Sequence, residues 1–302
     1  MKQVFAIVVT YNGLKWYDRC LGSLRDSEVP VSIIVIDNAS TDGTKGYICS
    51  HYPEVHLIES ETNLGFAKAN NIGIHYALDH GADFFFLLNQ DAWVEKNTIK
   101  ELLQTFVDHK DVGIASPIHL NGQYSALDFG FASYMEEGFV SDAYMNIVAH
   151  YYPLSFVNAA AWLVSKKCIE TVGGFDTMLF SHYGEDFNLC QRVHYHGFRI
   201  ILNTNCTICH DREDRRKYDY KYKEITKQQI FLNRYLSLGN INHEFDFADM
   251  IKTLEKRKRR KILQLNFQAA KKVQQELECI HRIVMSRSVN KEKGLHWLLM
   301  NG

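Results

Sequence analysis

An α/β fold is predicted for these 302 residues, with a mostly parallel sheet flanked by helices and a helical extension at the carboxyl end. Three observations carry that expectation. Short apolar runs alternate with helix-period segments at intervals of about 25–30 residues, the rhythm of βαβ units. The runs are apolar throughout rather than alternating in polarity, so both sheet faces should be covered. From Arg212 onward Pro and Gly nearly vanish, Lys and Arg cluster, and apolar residues recur every three or four positions.

The elements follow in order. Val4–Thr10 is a β-rich run stopped by the turn signal Tyr11-Asn12-Gly13. Leu14, Cys20, Leu21 and Leu24 then fall at helical spacing. Ile33–Ile36 is a buried strand ending at Asp37, and the polar loop Asn38 to Thr44 is suited to capping the next helix. Val55–Ile58 is a short strand. Asn63-Leu64-Gly65 opens a helix through Ala67, Ile72 and Ala77 to about His80. Phe84–Leu88 is a strand bounded by Asp83 and Asn89, followed by a helix through Ile99, Leu102, Leu103 and Phe106. The stretch from Gly113 to Met178 is less regular. Beyond Arg212, Leu263, Phe267, Ala270, Val273, Leu277, Ile280 and Val284 describe one stripe of a long helix.

Charge divides the chain in two. Residues 1–211 carry 13 Lys+Arg and 24 Asp+Glu, a net −11; residues 212–302 carry 21 and 11, a net +10. An acidic body with a basic tail suggests two domains with separate tasks, 1–211 and 212–302. The seven scattered cysteines form no disulfide framework, which points to a reducing, cytoplasmic setting. Cys206-x-x-Cys209 is a single pair where a zinc site needs four ligands. The apolar run Val4 to Val9 is too short for a signal core, and no window reaches the roughly 20 apolar residues that span a bilayer.

Three polar clusters follow three strand ends: Thr10-Tyr11-Asn12, Asp37-Asn38-Ala39-Ser40 and Asn89-Gln90-Asp91. Each alone reads equally as a cap or turn. In a doubly wound sheet, however, successive strand ends converge on one crevice, where ligands bind. Asp91 is placed to hold a divalent cation, and Asp37 to accept the imide hydrogen of a uracil or thymine ring. Gly65 opens a helix whose amino terminus favours anions, with Lys68 adding charge; close helix–sheet packing is the other use of that glycine. Gly173-Gly174-Phe175-Asp176 precedes the aromatic loop Phe180–Tyr183 and then Gly184-Glu185-Asp186, two carboxylates opening a helix and a plausible general-base site. His210 closes a strand-like run where the acidic body ends. Neither a G-x-G-x-x-G nor a P-loop motif is present.

Taken in series, Val8 to Asn12, Val35 to Thr44, Asn63-Leu64-Gly65-Phe66-Ala67 through Asn70, Leu88 to Asp91, Gly173 to Asp176, Gly184 to Asp186 and His210 resemble the family-2 inverting glycosyltransferases of GT-A (nucleotide-diphospho-sugar transferase) fold. The nearest flavour is the rhamnosyltransferase-like subgroup that builds bacterial surface polysaccharides. The resemblance covers about residues 3–211. It implies that Thr10, Tyr11, Asn12, Asp37, Asn38, Ser40, Gly65, Lys68, Asn70, Asn89 and Gln90 surround a nucleotide-sugar donor. It implies Mg²⁺ or Mn²⁺ at Asp91 with His210, and Asp186 as catalytic base beside Glu185. Asn89 departs from the family, standing where the first Asp of an Asp-x-Asp motif is usual.

The reaction so implied is attack of an acceptor hydroxyl, on a glycan or lipid-linked acceptor, at the anomeric carbon with inversion. A single base suffices because a nucleoside diphosphate is already a good leaving group, whereas a hydrolase flanks the bond with two carboxylates. Two other readings stay open. A sugar nucleotidyltransferase would need a basic Gly-rich loop after the first strand, where Thr10 to Gly13 has no cation, and a non-catalytic nucleotide-sugar-binding module would bind without turnover. For the tail, Lys256–Lys261 and the apolar stripe suggest an anionic membrane surface, hence peripheral association with the inner face of the cell membrane. A homo-oligomer through the carboxyl-terminal helix is the alternative. The acidic body and the lack of a recognition motif argue against nucleic acid.

Overall fold

The computed structural model describes residues 2–181, 183–212 and 227–298, so His182 of the aromatic loop and the helix expected over 213–226 lie outside the described residues. A nine-stranded mixed sheet forms the centre. Its strands are β1 (Val4–Thr10), β2 (Val31–Asp37), β3 (His56–Glu59), β4 (Phe84–Asn89), β5 (Ala92–Val94), β6 (Val112–Asn121), β7 (Tyr151–Leu154), β8 (Ala161–Ser165) and β9 (Arg199–His210). The order is β3-β2-β1-β4-β8-β6-β9-β5, with β7 paired to β9. Pairs β1–β2, β1–β4, β2–β3 and β6–β9 are parallel, while β8, β5 and β7 join their neighbours antiparallel. The parallel half is the part announced by continuous apolar runs.

Helices cover both faces of that half, and the strands alternate between them residue by residue. Ile7, Ile34, Ile36, Phe85 and Leu87 pack in one core, with residues of α3 (Gly65–Asp79), α7 (Lys166–Val172) and α8 (Glu185–Tyr195). Val8, Ile33, Val35, Phe86 and Leu88 pack in the other, with α1 (Tyr17–Arg25), α2 (Thr44–His51) and α4 (Thr98–Asp108). The expected irregular middle also holds two short helices, α5 (Phe129–Ser133) and α6 (Glu137–Met145). Cys206 and Cys209 are buried free thiols in β9.

The carboxyl-terminal part contains α9 (Lys227–Leu238), α10 (Phe247–Leu263) and α11 (Phe267–Lys291). The single long helix predicted through Leu263 and Phe267 is therefore two. The chain turns at Leu265, whose φ of +57° is left-handed, and Asn266 caps α11 by accepting the Ala269 amide at 3.0 Å. The sequence period misled because the four-residue step from Leu263 to Phe267 spans the turn. Helices α10 and α11 lie antiparallel, as the Lys258–Gln274 contact at 2.6 Å and the Arg257–Glu276 pair at 3.4 Å require. The stripe is accordingly split: Ala270, Val273, Leu277 and Ile280 are buried within the chain, and Leu263, Phe267 and Val284 face water.

A buried polar network ties α11 to the body. Asp176 accepts hydrogen bonds from Ser286, from Asn290 at 3.1 Å and from the Met178 and Leu179 amides. Asn71 of α3 bridges the Phe175 backbone and the Trp297 carbonyl, and the Trp297 indole donates to Asn290 at 2.8 Å. The Gly-Gly-Phe-Asp motif is thus a dock for the carboxyl-terminal helix rather than part of the cleft. No helix among the described residues is long and apolar enough to cross a membrane.

Candidate active site

The parallel strands β1, β2 and β4 end side by side, and the loops that leave them are pinned to one another. Gln90 brackets Tyr11: its Oε1 accepts from the Tyr11 amide at 3.0 Å and from the Thr10 hydroxyl at 2.6 Å, while its Nε2 donates to the Tyr11 carbonyl. Ser40 Oγ accepts the Asn12 amide at 2.9 Å, and Asn12 Oδ1 accepts the Thr41 amide at 2.8 Å. Asp37, buried, holds the Ser40 amide at 3.1 Å. Asn38 reaches the start of α3, accepting from the Leu64 amide and donating to the Gly65 carbonyl. Gly65 has φ +78°, a conformation a side chain would strain, so a glycine is required where α3 begins. Asn12 and Ala39 hold positive φ without being glycine, strain that the surrounding bonds maintain.

Asp91 sits in the two-residue link between β4 and β5. Because Ala92 pairs with His210 across β5 and β9, the register itself brings the two side chains together. His210 Nε2 lies 3.3 Å from Asp91 Oδ1, and both residues are buried. The same nitrogen is 3.3 Å from Asn89 Nδ2 and accepts from Arg212 Nε at 3.2 Å. A spacing of 3.3 Å suits two ligands of one divalent ion held at roughly 2.0–2.2 Å from each. No cluster of three acidic, histidine or cysteine residues that would cage an ion exists among the described residues. The Asp91 carboxylate therefore fits an ion that takes most of its ligands from water and a bound diphosphate, as Mg²⁺-type ions commonly do, and His210 Nε2 can join it once Arg212 Nε gives up that lone pair.

The facing wall carries the carboxylates. Gly184, at φ +91°, turns the chain into α8, whose first two residues are Glu185 and Asp186. Burial pushes the Glu185 carboxyl up to about 7, with the neighbouring Asp186 charge adding to the rise. Its Oε2 is buried and has no hydrogen-bond partner among the described residues. Burial also raises Asp186, against the lowering effect of the Phe187 and Ala159 amides and the Arg212 guanidinium. The Phe187 amide donates to Asp186 Oδ1 at 2.8 Å. A carboxylate raised toward neutrality is a better base than a free one.

Both walls bound one cavity of about 490 Å³. Tyr11, Asn38, Gly65, Asn89, Gln90, Asp91, Glu185 and Asp186 line it. Thr10, Asn12, Asp37 and Ser40 stand just behind, in the loops that fix those residues, and His210 lies beneath Asp91. Two expected residues are corrected. Lys68 is exposed on α3 and does not line the cavity, and Asn70 is buried and donates to the Phe66 carbonyl of its own helix at 3.0 Å. Of α3, only its first two residues, Gly65 and Phe66, line the cavity. The sequence reading missed Arg212, Asn158, and the aromatic pair Tyr134 and Phe156, all lining the cavity. Tyr134 bonds Asn158, and Phe156 packs on Phe187 with ring centroids 4.8 Å apart. The cation immediately after the His210-Asp211 strand end was the signal available for Arg212.

Residues 5–131 match the family model described as glycosyl transferase family 2. Over 208 residues the chain is 27% identical to a dTDP-rhamnosyl transferase, RfbF, of Shigella flexneri, covering 68% of each chain. Over 231 residues it is 26% identical to an N-acetylglucosaminyl-diphospho-decaprenol L-rhamnosyltransferase of Mycobacterium tuberculosis, covering 68% of this chain and 75% of that one. Among solved structures, GalNAc-T7 with UDP, GalNAc and Mn²⁺ superposes with a TM-score of 0.63 at 13% identity, over 100% of this chain but 56% of that one. The fold is GT-A, residues 5–131 carry a glycosyltransferase family 2 domain, and the relatives include rhamnosyltransferases.

Proposed function

We propose that this glycosyltransferase transfers a sugar from a UDP- or dTDP-linked donor to a hydroxyl of a glycan or lipid-linked acceptor, with inversion, in the synthesis of a bacterial surface polysaccharide. The observation that carries this reading is the pairing, in one cavity, of Asp91 at a strand end with a raised, half-buried Asp186 on the opposite wall. The relatives support a deoxysugar donor on dTDP and an acceptor built on a polyprenyl diphosphate, since their names state those chemistries.

In this mechanism the loops after β1 and β2 hold the nucleoside, with Asp37 buried at the base-binding end and Gly65 offering helix-terminal amides to the diphosphate. Asp91 and His210 would hold Mg²⁺ or Mn²⁺, which neutralises charge developing on the leaving diphosphate. Arg212, close to His210, adds a fixed cation on the same side. Asp186 takes the proton from the acceptor hydroxyl as its oxygen attacks from the face opposite the diphosphate. Burial holds the Asp186 carboxyl high, and its charge in turn raises the neighbouring Glu185. Residues 1–211 then form the catalytic unit, and residues 212–302 an extension that works in a cytoplasmic, membrane-proximal setting.

A panel of UDP- and dTDP-sugars tests this directly. Release of a nucleoside diphosphate that depends on acceptor supports transfer. Release of pyrophosphate would indicate nucleotidyl transfer, and binding without turnover a carrier module.

A further inference from the structure

The turn between α10 and α11 exposes four large apolar side chains within six residues: Ile262 (42%), Leu263 (84%), Leu265 (75%) and Phe267 (63%). They sit at the convex end of the hairpin, where no other part of the described chain covers them. The helices behind them are strongly basic: residues 252–272 hold nine Lys and Arg and one Glu, a net +8. Lys256, Arg259, Arg260, Lys271 and Lys272 are all exposed and form no ion pair among the described residues. Apolar tips collared by cations have a physical reason to be together at an interface between anionic headgroups and acyl chains.

We propose that this hairpin tip is a wedge that inserts into an anionic lipid surface. The wedge differs from the apolar stripe that the sequence suggested, because most of that stripe is consumed by packing within the chain. Charge selects the occupant. Two copies meeting tip to tip would bring like charges of +8 together, whereas an anionic leaflet complements them. The base of the hairpin explains what insertion accomplishes. Cys279, Ile280 and Ile283 of α11 pack on Leu179 and Phe180, in the loop that leads to Glu185 and Asp186, and Arg282 donates to the Met178 carbonyl. A tip seated in the membrane thus fixes the carboxylate wall of the cavity relative to the surface. The inference is independent of which sugar is transferred.

Sedimentation of the full chain with phosphatidylglycerol-containing vesicles, beside pure phosphatidylcholine vesicles, tests the wedge. Wild type should bind the anionic vesicles and be released by salt. Leu263→Ser with Leu265→Ser should weaken binding roughly a hundredfold, since each buried leucine contributes about tenfold. Arg259→Gln with Arg260→Gln should weaken it roughly twentyfold and flatten the salt dependence. Circular dichroism and melting temperature should stay at wild-type values in both variants, because all four side chains are exposed. Equal binding to both vesicle types, or unchanged binding by the leucine variant, overturns the proposal. Light scattering that shows a dimer abolished by the leucine variant, with no vesicle binding by wild type, would instead make the tip a subunit contact.

Discussion

The two walls of the cavity are built to opposite specifications. At the ends of β1, β2 and β4 the polar side chains are spent on one another: Gln90 uses both ends of its amide on Thr10 and Tyr11, and Asn12, Ser40 and Asn38 link neighbouring loops. At the start of α8 the carboxyls are raised, Glu185 is buried and Asp186 half-buried, and Glu185 keeps an oxygen without a partner among the described residues. A wall whose bonds are already made costs little to organise and is suited to holding a ligand. A wall that stores unfavourable charge is suited to taking a proton. The contrast assigns binding to one side and chemistry to the other, and substitutions can break or sharpen it.

The largest effect is expected at Asp186. Asp186→Asn preserves shape and removes the basic oxygen, so kcat should fall by about 10²–10⁴-fold, as steady-state transfer would register. Next comes Asp91→Ala, which should lower donor affinity roughly a hundredfold and remove the response to Mg²⁺ or Mn²⁺. Full wild-type activity in excess chelator would refute the assignment of Asp91 and His210 and leave Arg212 as the principal counter-charge. Gln90→Ala should loosen the loop after β1, raising donor KM about five- to tenfold with kcat nearly kept, since two or three bonds of about 1 kcal/mol each are partly replaced by water. A fall in kcat with unchanged KM would erase the division between the walls.

Glu185 gives a smaller effect on stability with a definite sign. Its carboxyl is raised from 4.5 to about 7 in the folded chain, so folding favours the protonated form. The stabilisation is complete below the unfolded value and is lost as pH rises through about 7. Glu185→Gln should therefore melt about 2–4 °C above wild type at pH 8 and level with it at pH 4. A melting difference that is the same at both pH values would mean that the burial penalty is met elsewhere. Smallest of all, Lys68→Ala should leave donor KM within about twofold, because an exposed cation on α3 outside the cavity is screened.

Legibility in the sequence followed the same divide. The strands β1, β2 and β4 were readable because a strand buried on both faces must be apolar along its length, and their ends carried Tyr11, Asn38, Asn89, Gln90 and Asp91 into the cavity. The pairing of Asp91 with His210 came only from the family resemblance, since the contact depends on the antiparallel register of β5 with β9, which leaves no local signature. Tyr134 and Phe156 were hidden in the middle region for a related reason: their place is set by packing between distant segments. Lys68 was placed at the cleft because it lies close to Gly65 in sequence, whereas its side chain is exposed to solvent and only Gly65 and Phe66 of α3 line the cavity. The Leu265 turn was missed because no glycine marks it, while Asn266 offered a capping signal that the unbroken apolar period masked.

The central claim is that one wall binds and the other transfers. Calorimetric titration of UDP and dTDP, with the divalent ion present, into wild type and Asp186→Asn tests it most directly. The account predicts equal dissociation constants for the nucleotide that binds, within about twofold, in a variant whose transfer has fallen at least about a hundredfold. A variant that loses nucleotide binding together with transfer, or that retains both, would contradict it.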